Sequence, residues 1–379
     1  MDIALYEHVR RLSRQSDSGT RKEEERFALP RVLIPLMGSH GAEIPSGLLL
    51  ETVYLIPTPP DTEGGKGALT AETWQRLHAL VRYCSQQCDS RMRPDGSLLM
   101  PHMDNLTDVL ELIKAAAEKV GMTLGEDVRV GIRFNCAAQS VQLSQTTAPA
   151  KGKKAAAKEV PSAENVEPTW VYTLFAGEAE VTGAQLSEYV IQQLTSFPNH
   201  GVIFLEDSHD TTDTEGWYRL HNAFKTMAVL SCRGAFSRHR GSAASLESLL
   251  AQVSASHIAA NIALDPIQIT DVSHFLSLAG ASQKQNLWMS VYRGAEEGGA
   301  QEHLVDLAVG TGSSFVDIGP LLSASALVSR QLCVQERLSA QRQMEEQVSY
   351  VGRNSEEDFP VSAAEVPEIK RKNEKEEKK

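Results

Sequence analysis

Two kinds of pattern alternate along the chain. Short, nearly continuous apolar runs give way to longer stretches with an apolar residue every third or fourth position. The first kind reads as strand, the second as amphipathic helix. Leu5, Val9 and Leu12 open the chain at helical spacing, before the polar run SRQSDSGTRKEEER. From Phe27, LPRVLIPL and LLLETVYLIP are apolar runs of strand length bounded by Gly and Pro. Residues 70–89 and 104–120 then read as helices. The first carries Trp74, Leu77, Leu80, Val81 and Cys84 on one face, and Gly121 ends the second. Cys84 and Cys88 sit on adjacent turns and read as packing residues, because no second Cys or His pair follows at finger spacing.

Beyond Gly121 the alternation becomes regular. The strand candidates are VRVGIRFN, GVIFLE, MAVLSC, HIAANIAL, LWMSVY and SFVDIG. Between them lie the helix candidates Gly183–Phe197, Thr214–Lys225, Ser242–Ala255, Thr270–Ala281 and His303–Gly310. Thr182 is a good N-cap for the first of these, whose apolar stripe is Leu186, Val190, Leu194 and Phe197. Apolar strands alternating with helices predict a parallel sheet covered on both faces, and the number of units predicts a closed α/β barrel. GTGSS at 310–314 is too short for a phosphate loop and reads as a helix-to-strand turn at the barrel bottom.

Two segments break the pattern. Residues 145–168, rich in Ala, Lys and Pro, read as a low-complexity insertion. Residues 339–379 carry ten acidic and eight basic residues and read as a charged tail, either solvated or docking another protein. The expected organisation is a helix and polar connector over 1–26, one barrel over 27–338, and the tail. Composition narrows the function classes. With 37 Lys+Arg against 49 Asp+Glu the formal charge is −12, which argues against a nucleic-acid partner. No apolar run approaches the roughly 20 residues that span a bilayer, and MDIALYEHVRRLSRQ does not pattern as a signal peptide, so no membrane partner is expected. Five cysteines form no even framework and suit a reducing, cytoplasmic setting.

Five stretches, in order over about residues 3–338, resemble the C-terminal barrel of enolase. GVIFLEDSHDTTDTEGWYRL is similar to the enolase V-S-I-E-D-P-F-D-x-x-D-W-x-x-W, and HLVDLAVGTGSSFVDIG to A-D-L-V-V-G-L-x-T-G-Q-I-K-T-G. LPRVLIPLMGSHGAE…ETVYLIP resembles the segment containing N-G-G-S-H-A-G and Q-E-F-M-I-x-P. MPHMDNLTDVLELIKAAAEKVG resembles A-P-N…A-L-E-L-L-K-x-A-I-x-K-A-G, and IALYEHVRRL the last helix of the enolase N-terminal domain. The resemblance implies a TIM-type (β/α)8 barrel of the enolase kind, with the N-terminal capping domain largely missing.

It also implies a site, which can be checked residue by residue. Enolase removes a proton next to a carboxylate with a Lys base, and Mg²⁺ stabilises the ene-diolate. The three metal carboxylates fall at Asn135, Glu206 and Cys232, so one is kept, and Arg233 follows the third. The Lys base falls at Ile262, with no lysine between Lys225 and Lys284. The acid partner falls at Gly96, beside Asp95, and the substrate lysine becomes Asp317. The substrate-binding S-H-R falls near Tyr292–Arg293–Gly294, and the Glu of Q-E-F at Thr52, next to Glu51. His40 matches the family's loop histidine. Glu206 can equally be a strand-end carboxylate paired with Arg233, His40 a backbone-bonded loop residue, and Trp217 a core residue. His209 and Asp210 read as solvated loop residues.

Losing a general base costs roughly 10²–10⁴ in rate, and losing the metals removes the main electrostatic contribution. The expectation is a catalytically inactive enolase-like protein with a structural or interaction role and no cofactor. The Asn at the metal position and the L-V-D-L-A-V-G run resemble the enolase-like branch associated with sperm and flagella. That implies axonemal or cytoskeletal protein partners in a cilium or flagellum. A homodimer is not expected, because enolases pair largely through the capping domain. Two alternatives stay open. One is a barrel enzyme with a changed substrate, using Glu206, Cys232, Arg233, Asp317 and Tyr292. The other is a phosphopyruvate hydratase that uses Mg²⁺ and borrows its cap from another chain.

Overall fold

A computed structural model describes residues 4–15, 27–39, 47–59, 61–62, 65–66, 69–89, 91–134, 141–143, 169–177, 180–224, 227–238, 243–266, 269, 271–293, 301–341 and 349–350. His40, Asn135 and the 145–168 insertion lie outside the described residues.

Eight strands close into a barrel: β1 (Arg31–Gly38), β2 (Thr52–Pro57), β3 (Val128–Arg133), β4 (Val202–Glu206), β5 (Val229–Cys232), β6 (Asn261–Leu264), β7 (Trp288–Val291) and β8 (Phe315–Asp317). Each pairs with the next, and β8 pairs back on β1 with Phe315 opposite Arg31. Ten described helices accompany them: α1 (Leu5–Gln15), α2 (Ala71–Gln87), α3 (Leu106–Lys119), α4 (Gly183–Ser196), α5 (Thr214–Phe224), α6 (Gly234–Arg238), α7 (Ala243–Ser256), α8 (Val272–Lys284), α9 (His303–Thr311) and α10 (Ser325–Gln341). Among the described residues no helix is long and apolar enough to cross a membrane.

The sheet corrects one expectation. It is not wholly parallel: β2 runs antiparallel to both β1 and β3. The turn-back from Gly38 to Thr52 contains no described helix, and a strand that returns without a crossover must run the other way. Both α2 and α3 then follow before β3. Pro35, which has no N–H for the ladder, lies at a register shift between Pro35 and Met37.

Helix ends follow the sequence closely. Asn105 caps α3 in a capping box with Asp108, and Thr182 caps α4 with Gln185. Thr70 and Asp271 cap α2 and α8 through their side chains. Gly312, at φ +72°, takes the left-handed turn that ends α9 and feeds β8. That is the bottom turn expected of GTGSS. α1 packs on α9 so closely that a Cβ at Gly310 would collide with Val9. Arg10 also donates to the carbonyl of Val309 at 3.0 Å. The last helix runs to Gln341, past the expected boundary at 338, and Ser349–Tyr350 pairs with Ala28–Leu29. Part of the tail therefore returns to the barrel.

The core has two compartments. A large outer one lies between strands and helices and includes Trp217, Cys84 and Cys88. A small inner one fills the barrel with Leu33, Tyr54, Ile56, Ile203, Phe204, Val229 and Phe315. Phe204 and Phe315 pack with ring centres 4.8 Å apart and planes tilted by 53°. Gly131 makes room for this plug, since a Cβ there would sit 3.3 Å from both Phe204 and Tyr54. The aromatic plug closes the interior from below and leaves a polar layer above it.

Candidate functional site: the barrel mouth

The strand C-termini of an α/β barrel form the face where catalytic groups normally gather. Here that face holds a buried charge network built from inward-pointing strand residues. Period-two alternation puts Gly131 and Arg133 of β3, Phe204 and Glu206 of β4, and Val229 and Ser231 of β5 inside. Tyr54 comes from the reversed strand β2, so its hydroxyl reaches the same layer.

Glu206 stands at the centre and is 1% exposed. Its Oε2 lies 3.6 Å from Arg133 Nε and 3.7 Å from Arg233 Nη1, and accepts from the Tyr54 hydroxyl at 3.4 Å. Its Oε1 accepts from Ser231 Oγ at 3.1 Å. Asn261 Nδ2 reaches both Ser231 Oγ and Ser290 Oγ at 2.8 Å, which fixes the hydroxyl layer. Arg233 Nη1 donates to Tyr54 Oη at 2.8 Å and lies 3.7 Å from Asp317 Oδ2. Its guanidinium sits 3.5 Å from the Tyr292 ring centre, a cation–π contact. Arg133 Nε donates to Asp207 Oδ2 at 3.0 Å, and Glu51 lies 3.9 Å from the same guanidinium. Asp207, at φ +51°, accepts from the backbone N–H groups of Arg233 and Gly234 at 2.8 and 2.7 Å. It thereby holds the start of α6 and the position of Arg233.

The guanidiniums of Arg133 and Arg233 thus face the buried acids Glu206, Asp207 and Asp317, with Glu51 at the edge. Burial weighs most on Glu206. Burial pushes its carboxyl up to about 7, with Asp207 adding to the rise and Arg233, Arg133 and Ser231 opposing it. Burial likewise raises Asp317, against Arg233 and the Gly319 N–H. Burial raises Tyr54 well above the ordinary phenol value, so it stays a donor. Burial works against the charged form of Arg233, but the tyrosines, Glu206 and Asp317 more than offset it, and its pKa rises. Arg133 follows the same pattern, with burial and Arg233 opposed by Asp207 and Glu206.

The sequence-predicted residues divide clearly. Glu206, Arg233, Asp317 and Tyr292 come together, and the expected Glu206–Arg233 pairing is present. Cys232 and Ile262 point the other way, into the core between barrel and helices. Their mouth-facing neighbours are Ser231, Arg233 and Asn261, so no residue at these positions is a carboxylate or a lysine. Gly96, at φ +89°, sits against Ser323, and Asp95 pairs with Arg93 at 3.5 Å beside Glu51. Thr52 is buried at the start of β2. Arg293 lies under Gly319 and acts on Asp317. Arg133, Tyr54, Asp207 and the Ser231–Asn261–Ser290 layer are members that sequence reasoning missed.

The expectation for His209 is corrected: it is buried, not solvated. Its Nε2 lies 3.1 Å from the Gly183 carbonyl and 3.1 Å from Ser187 Oγ, and its Nδ1 lies 3.2 Å from Ser208 Oγ. A carbonyl can only accept, so Nε2 carries the proton and cannot activate Ser187. Ser187 instead reaches the Gly183 and Gly216 carbonyls. A Cβ at Gly216 would collide with the imidazole. The cluster is a packing joint between α4, α5 and the end of β4, with Trp217 buried beside it. Asp210 is partly buried and caps Thr212.

Fold and site together define a closed, mixed α/β barrel whose mouth is filled by its own arginine–carboxylate network. Comparison with protein-family models and with curated proteins finds no match for the chain.

Proposed function

We propose that this chain is a catalytically silent, enolase-like barrel with a structural or interaction role, in a ciliary or flagellar (axonemal) assembly. The observation that carries the first part is the setting of Glu206. It is the carboxylate that the resemblance gives to a metal, and here it lies between two guanidiniums at 3.6 and 3.7 Å. The residues present do not fit Mg²⁺. A divalent cation needs oxygen ligands with free charge, and Glu206, Asp207 and Asp317 are each engaged by an arginine. Placing Mg²⁺ among them sets it against two buried cations.

Buried ion pairs of this kind are costly to desolvate and costly to break. They favour one fixed arrangement over the adjustable one that turnover needs. The axonemal part rests on the resemblance of the Asn135 position and the LVDLAVG run. A coupled assay of 2-phosphoglycerate dehydration in excess Mg²⁺ tests the first part: no turnover is expected, and clear turnover overturns it. Proximity labelling in ciliated cells tests the second, with axonemal neighbours expected. Comparing the intact protein with a chain ending at Gln341 shows whether the tail docks the partner.

One observation favours a second reading, an enzyme with a changed substrate. A carboxyl near neutrality beside a phenol is suited to general acid–base work. A substrate must then displace Arg233 from Glu206. A metabolite whose thermal stabilisation of the protein vanishes in Glu206→Gln is the result that supports this reading.

A further inference from the structure

The opposite end of the barrel is built differently. At the N-terminal ends of β3 and β4 lies a cavity of about 770 Å³, bounded by the loops before both strands and by the ends of α4 and α5. That volume is in the range of small-molecule sites. Its walls are mostly apolar, with Leu124, Ile191, Leu194, Phe197, Phe224 and Met227. Met227 is half-exposed and holds the rim open to solvent.

The cavity is pre-formed by backbone. Gly125 at φ +91° and Gly201 at φ +64° pass each other so closely that a Cβ on Gly201 would sit 2.8 Å from Gly125 N. The amide of Val130 donates to the Gly201 carbonyl at 2.9 Å, tying the two loops to the sheet.

Two polar groups stand in this apolar wall. Arg129 is inward-facing on β3, and its Nε is buried with no hydrogen-bond partner among the described residues. An arginine in that state is a donor waiting for an acceptor, because leaving it unmet costs desolvation without return. His200 is a buried member of the same lining, and its Nδ1 accepts from the Val202 amide at 2.9 Å. The proton of the neutral ring is therefore on Nε2, a second donor. The one acid of the lining, Glu126, is exposed on its loop.

We infer that this cavity is a binding site for a small amphipathic anion, a carboxylate or sulfonate on an apolar body. Arg129 takes the acid group and the wall between α4 and α5 takes the apolar part. The occupant is an anion because, among the described residues of the lining, only the exposed Glu126 carries negative charge. It is amphipathic because the other polar residues of the described lining, Thr123, Thr195 and Asn199, are exposed, and the buried wall is apolar. The site is separate from the mouth and does not depend on whether the barrel is catalytic.

Fluorescence titration of the full chain with 8-anilinonaphthalene-1-sulfonate tests this, with decanoate and the neutral 1-decanol as competitors. One saturable site is expected, with decanoate displacing the probe at least tenfold more effectively than decanol. Arg129→Met should bring decanoate down to the level of decanol. Ala223→Trp, on the exposed rim, fills the cavity without touching the core and should weaken probe and both competitors alike. It covers the case in which the arginine variant does not fold, and far-UV circular dichroism identifies that case. Equal competition by acid and alcohol overturns the proposal. So does an absence of binding, or multi-site binding that survives Ala223→Trp.

Discussion

The two ends of the barrel treat the same kind of residue in opposite ways. At the mouth, Arg133 and Arg233 are surrounded by Glu206, Asp207 and Asp317 and by two tyrosine rings. At the floor, Arg129 comes from the same strand as Arg133, four residues earlier, and its Nε has no acceptor among the described residues. Between them sits the aromatic plug of Tyr54, Phe204 and Phe315. A paired arginine seals a space, whereas an unpaired one keeps it receptive. The barrel has its charges paired with one another at the top and a donor to spare at its base.

The sharpest way to break this comparison is to remove one arginine from each end. Arg233→Met leaves Glu206 and Asp317 buried and under-paired, so it should cost about 3–5 kcal/mol in urea unfolding at pH 8. Arg129→Met removes a partly buried cation that lacks a partner, so it should cost less than about 1 kcal/mol or even stabilise. Equal losses at the two sites break the distinction.

The pH dependence sharpens the mouth. Folding raises the Glu206 carboxyl from 4.5 to about 7, so the folded state holds its proton more tightly. The resulting stability is full below pH 4.5 and is lost as pH rises through 7. Relative to Glu206→Gln, the wild type should lose up to about 3 kcal/mol between pH 4.5 and 8. Burial lowers the pKa of His209 and His200, which gives the opposite slope: stability present above pH 6.5 and lost on acidification. Subtracting the variant's curve removes that common contribution. A smaller effect tests the joint beside the mouth. Gly216→Ala puts a methyl group into the His209 ring and should cost about 1–2 kcal/mol, read as a lower midpoint in the same titration.

Much of the barrel is legible in the sequence because most of its strands after Gly121 are short apolar runs between helical stripes. The direction of β2 is not legible. TVYLIP is buried at every position, and such a run reads the same whichever way the strand points. The Glu206–Arg233 pair could be anticipated because both residues end strands. Arg133 could have been found as well. In VRVGIR the two arginines and the glycine alternate with valine and isoleucine, so three non-apolar residues share one face, which is the barrel interior. His209 carries no such mark. Its burial depends on Gly216, 7 residues after it, which makes room for its ring, and on the carbonyl of Gly183, 26 residues before it, which its Nε2 meets. The floor cavity is equally silent in sequence, since it arises where two loops cross rather than from any one segment.

The central claim is that guanidiniums fill the places where the resemblance puts metal charge. Calorimetric titration of the protein with Mg²⁺, with and without 2-phosphoglycerate, addresses it most directly. The account predicts, in both cases, only the heat that the same titration gives without protein. A saturable heat that disappears in Glu206→Gln contradicts it.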